Sequence, residues 1–299
     1  MKKKMAISFS GGRTSGFMTW WLINHLAHEY DFVVTFANTG QEHEKTLEFV
    51  NNCDKYFGFN TVWIEAAVHH GVRASPSAKI VTFDTASRLG EPFEESIKKH
   101  GIPNMSFPHC TDRLKVQPMT NYLRSIGWNR GDHVVSIGIR CDEARRVRRD
   151  AVKEKIIYPL VDIIPTTKQQ VLDWWSKQPF DLNIAEHHGN CKWCWKKSLK
   201  KHIMLVKEMP EIYDFPKRME HDYPYTGPHT LLTGYTGDLV GDVLHRDGNV
   251  TQPRHFFRKN MSAHDLFLLI QDDEEVIMDD ATSECGESCE MYPMEILRG

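Results

Sequence analysis

No apolar run in this 299-residue chain is long enough to cross a bilayer, so the sequence offers no helical membrane span and no membrane partner is expected. The opening Met-Lys-Lys-Lys leads into a strand-like run and a glycine turn. A signal-peptide core with a small-residue cleavage site is lacking, and a cytoplasmic protein is expected. An excess of charge of one sign is lacking too. A net charge of −3 excludes a general cationic coat, so any polyanion has to meet a local patch. No internal repeat or low-complexity linker occurs. The two commonest nucleotide motifs are also missing. Gly11 and Gly16 have Walker A spacing, but Phe17 and Met18 stand where that loop needs Lys and Ser or Thr, and there is no G-x-G-x-x-G.

What is present begins at the amino end. Residues 5–9 form an apolar run of strand length, Ser10, Gly11 and Gly12 form a turn, and residues 17–26 have a helical pattern. A loop between strand and helix aims backbone N–H groups and the positive helix end at an anion. Ser8, Ser10, Gly11, Gly12, Arg13, Thr14 and Ser15 are therefore candidate phosphate ligands. Strand and helix patterns then alternate: 31–37 (strand), 43–56 (helix), 61–66 (strand), 116–125 (helix) and 133–139 (strand). This order predicts an α/β fold, a mainly parallel twisted sheet flanked by helices, with ligands at the carboxyl ends of strands. With 40% hydrophobic residues the chain can bury a substantial core. Helices are also expected over 167–176, 198–209 and 262–270, the last capped by Ser262. A loose boundary near residue 180 separates the α/β part from a mixed carboxyl-terminal region containing a glycine-rich stretch at 227–250 and an acidic tail.

The motif S-G-G-x-x-S after a strand resembles the PP-loop of the ATP pyrophosphatase (adenine nucleotide alpha-hydrolase) superfamily, which includes phosphoadenosine phosphosulfate (PAPS) reductases and tRNA thiolation enzymes. Arg13 and Thr14 depart from the Lys and Asp of many members. Asn38, Thr39, Gly40, Gln41 and Glu42 resemble the D-T-G-x-E segment of PAPS reductases, which lies against the nucleotide. The run from Ser136 to Asp150, containing Gly138, Arg140, Asp142 and Glu143, resembles the family's G-I-R-x-D-E-x-x-R segment. Arg140 offers a planar fork for phosphate, and Asp142 and Glu143 can orient it or assist Mg²⁺. Arg145, Arg146, Arg148 and Arg149 extend the positive charge or form a solvated face. Residues 83–97 resemble a stretch common in PAPS reductase-like proteins of phage and prophage type, and the resemblance extends over roughly residues 5–201.

Seven cysteines in a cytosolic chain read as metal or redox ligands plus core thiols rather than disulfides. Cys191 and Cys194 form a C-x-x-C in a basic loop, where two thiolates can converge on one metal. The segment around Cys110 resembles the C-C-x-x-R-K-x-x-P-L element of cluster-containing sulfonucleotide reductases, with His109 in place of the first cysteine. The resemblance implies a [4Fe–4S] cluster on Cys110, Cys191 and Cys194 with one iron lacking a protein thiolate, as in PP-loop tRNA thiolation enzymes. Zinc is the rival metal, and His109, Cys141, Cys285 or Cys289 can close the site. Cys53 reads as a core thiol. Glu284, Cys285 and Gly286 match the mobile E-C-G tail of sulfonucleotide reductases. Cys285 is thus a candidate nucleophile, a fourth metal ligand or part of an exposed tail among acidic residues that would raise its pKa. The histidine pairs His69/His70 and His187/His188 can bind metal or phosphate, but read first as surface or turn residues.

Three functions follow as expectations. The first is a PP-loop enzyme that binds ATP and Mg²⁺, cleaves the α–β bond and adenylates a substrate for Fe–S-dependent sulfur transfer. Lys196, Lys197, Lys200 and Lys201 suit a polyanion such as tRNA or DNA. The second is a sulfonucleotide reductase, an oxidoreductase acting through Cys285. The third is a non-catalytic nucleotide-binding regulatory or defence module with structural zinc.

Overall fold

The computed structural model describes residues 2–71, 73–189, 191–227 and 252–271. The glycine-rich stretch after Gly227 and the tail carrying Glu284, Cys285, Gly286 and Cys289 lie outside the described residues.

Six strands form one sheet: β1 (Lys3–Ser8), β2 (Tyr30–Ala37), β3 (Val62–Ala67), β4 (Ser77–Val81), β5 (His133–Ile137) and β6 (Ile156–Ile157). Their spatial order is β4-β3-β2-β1-β5-β6. All neighbours are parallel except β4, which runs antiparallel to β3. From β1 the chain builds outward through β2 to β4 on one side, then returns to add β5 and β6 on the other. The carboxyl end of β1 is therefore the point where the order of the strands reverses, the place where open α/β sheets form a crevice. Ser8 ends β1 there, between Thr35 of β2 and Ile137 of β5.

Helices cover both faces, so the central strands are buried on both sides and read as nearly continuous apolar runs. The two-residue alternation assigns side chains to the faces. Met5, Ile7 and Phe9 pack with α1 (Arg13–Leu26), α2 (Glu44–Phe57) and, much later in the chain, Val171 and Trp175 of the helix Lys168–Trp175. Ala6 turns the other way, toward a cluster with Leu123, Val135 and Ile137. Phe9 and Phe49 are wholly buried, and each such burial contributes roughly 1.5–3 kcal/mol.

Helix α1 begins at Arg13, four residues before the apolar pattern shows it. Gly12 caps it in extended conformation, so Arg13, Thr14 and Ser15 form its first turn rather than a loop. Gly16 inside the helix has a packing reason: a Cβ there would stand 2.9 Å from Trp175 Cζ2. Trp175 is held in place by its Nε1, which donates to Arg13 O at 2.8 Å.

The remaining helices are α3 (Glu91–His100), α4 (Gln117–Ser125), α5 (Pro159–Asp162), α6 (Lys168–Trp175), α7 (Leu199–Glu208), α8 (Asp214–Asp222) and α9 (Ala263–Gln271). A π-helical turn, Asp112–Val116, leads into α4; such turns often mark functional sites. A second core joins Phe93 and Ile97 of α3 and Leu114 to Trp193, Trp195, Leu205, Tyr213, Phe215, Phe256 and Leu266. Side chains from both sides of residue 180 thus share one apolar cluster, and it anchors the C-x-x-C loop. Trp193 stacks on Phe215 at 5.7 Å and meets Phe256 near edge-on at 4.7 Å.

Candidate functional site

The loop after β1 is compact. Gly11 has φ +80°, and a Cβ on it would lie 2.7 Å from Thr46 Cγ2 and 3.1 Å from Phe36, so both conformation and space demand glycine. Ser10 Oγ and Ser15 Oγ are 2.9 Å apart, and Ser15 Oγ donates to Gly12 O at 3.0 Å. The first turn of α1 contains no acidic side chain, and Gly12 supplies no side-chain cap. The first N–H groups of the helix therefore lack intrahelical acceptors and face the crevice end of β1 with a positive dipole, as an anion requires.

Arg13 points elsewhere. Its Nε and Nη2 donate to the two oxygens of Asp181 at 2.7 and 2.8 Å, a bidentate pair that ties α1 to the chain after α6. The cation facing the loop is Arg140, which follows β5 and is buried. Its Nη1 donates to Thr14 Oγ1 at 3.1 Å and its Nε to Asp142 Oδ1 at 2.9 Å, with Glu143 Oε2 3.3 Å from Nη2. The second oxygen of Asp142 accepts the Lys168 N–H at 3.0 Å. Burial works to raise the Asp142 pKa, but the Lys168 N–H and the Arg140 guanidinium outweigh it and hold the carboxyl below its usual range. Asp142 thus orients Arg140. Gly138 lets the two loops meet, since a Cβ there would be 3.0 Å from Ser15 Cα.

The segment after β2 is equally constrained. Asn38 Nδ2 donates to Glu65 Oε1 at 2.8 Å and to Ser87 O at 2.9 Å, while Asn38 Oδ1 accepts the Gly40 N–H at 3.1 Å. Gly40 has φ +78° and its missing Cβ would strike Ser87 and Gly90. Thr39 N and Oγ1 donate to Glu42 at 2.8 and 3.0 Å. The same segment then pairs with the C-x-x-C loop: Lys192 N donates to Gln41 O at 2.9 Å and Trp193 Nε1 to Gln41 Oε1 at 2.6 Å. Thr39 Oγ1 lies 3.5 Å from Cys191 Sγ.

Cys110, Cys191 and Cys194 line a single cavity of about 20 Å³, more than the space one water needs. Phe93, Leu114, Trp193 and Trp195 give it apolar walls, and Thr39, Thr111, Lys115 and Lys196 complete it. Two polar atoms of lining residues, Thr111 Oγ1 and Trp195 Nε1, are buried without a hydrogen-bond partner. A water or another small group in the cavity could satisfy them. Three thiols lining one cavity are a donor set suited to a thiophilic metal. Among the described residues the other sulfur and imidazole candidates lie elsewhere: Cys141 follows Arg140, Cys53 is a buried core thiol as expected, and His109 Nε2 bonds Gly101 O at 3.1 Å. None of them lines the cavity.

No family model matches the chain. Over 299 residues it is 30% identical to the uncharacterized nin region protein ORF290 of Escherichia phage lambda, covering 96% of this chain and 94% of that protein. The chain belongs to the family of this phage protein. An uncharacterized protein of Methanocaldococcus jannaschii, MJ0066, is 22% identical over 245 residues, covering 79% of this chain but 45% of the archaeal protein. A second, MJ0973, is 28% identical over 117 residues, 39% of this chain and 22% of its own length.

In this member of the ORF290 family the basic residues near the thiols divide. Lys197 is buried and its Nζ donates to Gly189 O at 2.7 Å and Cys191 O at 2.8 Å, stapling the cysteine loop from within. Lys200 is exposed, and Lys196 edges the cavity. Sequence reasoning overlooked Lys115, buried 3.6 Å from Glu42 Oε1, as well as Thr111 and Asp181. Lys115 and Thr111 stood within the Cys110 motif and were legible there; nothing local marks Asp181 as the partner of Arg13. No helix among the described residues is long and apolar enough to cross a membrane.

Proposed function

We propose that this chain is a PP-loop enzyme of PAPS reductase-like type that binds ATP with Mg²⁺ in the cytoplasm. It cleaves the α–β bond and adenylates a substrate for sulfur transfer. The observation that carries this reading is the shared wall between the two halves of the site. Thr39, from the segment beyond β2, lines the same cavity as Cys110, Cys191 and Cys194.

A substrate oxygen attacks the α-phosphorus, the bond to the bridging oxygen breaks, and pyrophosphate departs into the turn at Ser10, Gly11 and Gly12 under the N–H groups of α1. Arg140, oriented by Asp142 and joined to Thr14, neutralises the charge that gathers on the phosphates. Asn38 and Gly40 fix the course of the segment beneath the nucleotide, Asn38 by its bonds to Glu65 and Ser87 and Gly40 by letting the chain pass close to Ser87 and Gly90. Cys110, Cys191 and Cys194 would hold a [4Fe–4S] cluster, which supplies a site for sulfur at the iron lacking a protein thiolate. Lys196 and Lys200 provide a local cationic edge for tRNA or DNA as the polyanionic substrate.

Anaerobic purification with iron and acid-labile sulfide analysis, combined with pyrophosphate release from ATP, tests the reading. Iron with matching sulfide and ATP-dependent pyrophosphate release are expected. Zinc without sulfide would remove the cluster, and sulfite release from a sulfonucleotide without ATP turnover would replace the activity with that of a reductase.

A further inference from the structure

Among the described residues outside the cysteine cavity, one cluster of side chains has the make-up of a metal site. His187 Nε2 lies 2.7 Å and His188 Nε2 2.8 Å from the same oxygen, Oε2 of Glu208. Their donor atoms all fall within 4.8 Å of one another. The two imidazole rings stand at 77° with centroids 4.4 Å apart, so their nitrogens approach the carboxylate from different directions. Neighbouring ligands of a tetrahedral ion bound at about 2.0–2.1 Å stand roughly 3.3 Å apart, and the two histidine–carboxylate separations, 2.7 and 2.8 Å, need widen only slightly to admit one.

The histidines are held before any ion arrives. They occupy a single tight turn, Glu186–His188, and their side chains are only 13% and 17% exposed. The His188 ring is stacked on His43, the cap of α2, at 5.8 Å and 14°. Glu208, at the end of α7, is 43% exposed and leaves the outer side open for an ion to enter and keep water ligands.

We propose that His187, His188 and Glu208 bind a divalent transition-metal ion at a site separate from the cysteine cavity. Two imidazoles and one carboxylate suit zinc, iron(II) or cobalt(II) and not calcium or magnesium, which prefer all-oxygen shells. The ion joins the turn before the C-x-x-C loop to the end of α7. It thereby closes residues 187–208, which include Cys191, Cys194 and Lys197, into a segment fastened at both ends. The inference does not depend on the cluster or on ATP chemistry.

Cobalt(II) added to the metal-free full-length protein is the probe. One equivalent is expected to bind with d–d absorption lacking thiolate charge transfer, to persist in Cys191→Ser, and to raise the thermal midpoint. Glu208→Gln and His188→Asn should each weaken this binding at least about ten-fold. Their circular dichroism and metal-free melting should stay unchanged for Glu208→Gln, whose site is exposed. Cobalt binding of wild-type strength in both variants, no such equivalent in the wild type, or loss of all cobalt absorption in Cys191→Ser would each overturn the proposal.

Discussion

Arg140 Nη1 donates to Thr14 Oγ1 across 3.1 Å, so the loop after β5 is latched to the first turn of α1 at the point where the strand order reverses. Replacing Arg140 tests this latch as the phosphate-facing cation. Arg140→Gln should lower the rate of pyrophosphate release by about 10²–10³-fold, the usual loss when one preorganised donor to developing charge is removed. Arg140→Lys should recover little, because a point charge cannot bridge Thr14 and Asp142 at once. Steady-state pyrophosphate assays decide it, and near-normal turnover in Arg140→Gln would refute the role.

Cys191 lines the cavity together with Thr39 of the segment after β2, whose Oγ1 is 3.5 Å from its Sγ. Cys191→Ser and Cys110→Ser should each abolish stoichiometric iron and sulfide. ATP affinity in Cys110→Ser should change by less than about two-fold, since Cys110 belongs to none of the strand-end loops proposed to hold the nucleotide. Metal analysis and calorimetric titration with a non-hydrolysable ATP analogue measure the two effects separately.

Gly11 and Gly58 both have positive φ, +80° and +65°, but only Gly11 is enclosed. Gly58→Ala should cost about 1–2 kcal/mol from the left-handed backbone alone. Gly11→Ala bears a similar strain and about 1–3 kcal/mol more from overpacking against Thr46 and Phe36. Urea unfolding of the two variants side by side gives the difference; equal losses would show that the loop yields freely.

His202 is fully buried, its Nδ1 2.7 Å from Tyr213 Oη and its Nε2 without a partner. Burial, reinforced by Lys197 and Arg258, holds its pKa down at about 3, and burial holds His100 at about 4. In the unfolded chain both protonate near 6.5. The unfolded state therefore binds more protons below that pH. The stability these neutral rings contribute is complete above 6.5 and is lost as pH falls toward their folded values. At pH 5 His202 alone should account for about 2 kcal/mol of lost stability. Urea unfolding between pH 7 and 5 should show stability falling with acid; a flat or rising profile would contradict a buried neutral imidazole.

Much of the sheet was legible because its signals are local. The apolar runs at residues 5–9, 31–37 and 133–139 became β1, β2 and β5 within one or two residues at most ends. The helix patterns at 43–56 and 167–176 became α2 and α6, with His43 and Thr167 as caps. The start of α1 was missed because Arg13, Thr14 and Ser15 carry no apolar periodicity, and helical geometry there follows from the glycine turn and from Trp175. Strand β4, with exposed Ile80, lacks a clear pattern because it lies at the sheet edge.

By itself the sequence determined the strand–turn–helix at Ser10 to Ser15, the mainly parallel α/β order, the C-x-x-C spacing of Cys191 and Cys194, and the place of Arg140 just beyond a strand. Each is a matter of period, turn chemistry and spacing within a few residues. Only the tertiary structure decided that Arg13 pairs with Asp181 while Arg140 serves the loop, and that Cys110 meets Cys191 and Cys194 beside Thr39. It also drew His187 and His188 onto Glu208. These pairings join residues far apart in the chain: packing of α1 and α6 on the sheet sets those of Arg13 and Arg140, and the core shared by α3, α7, α8 and α9 sets the rest, which no local pattern encodes.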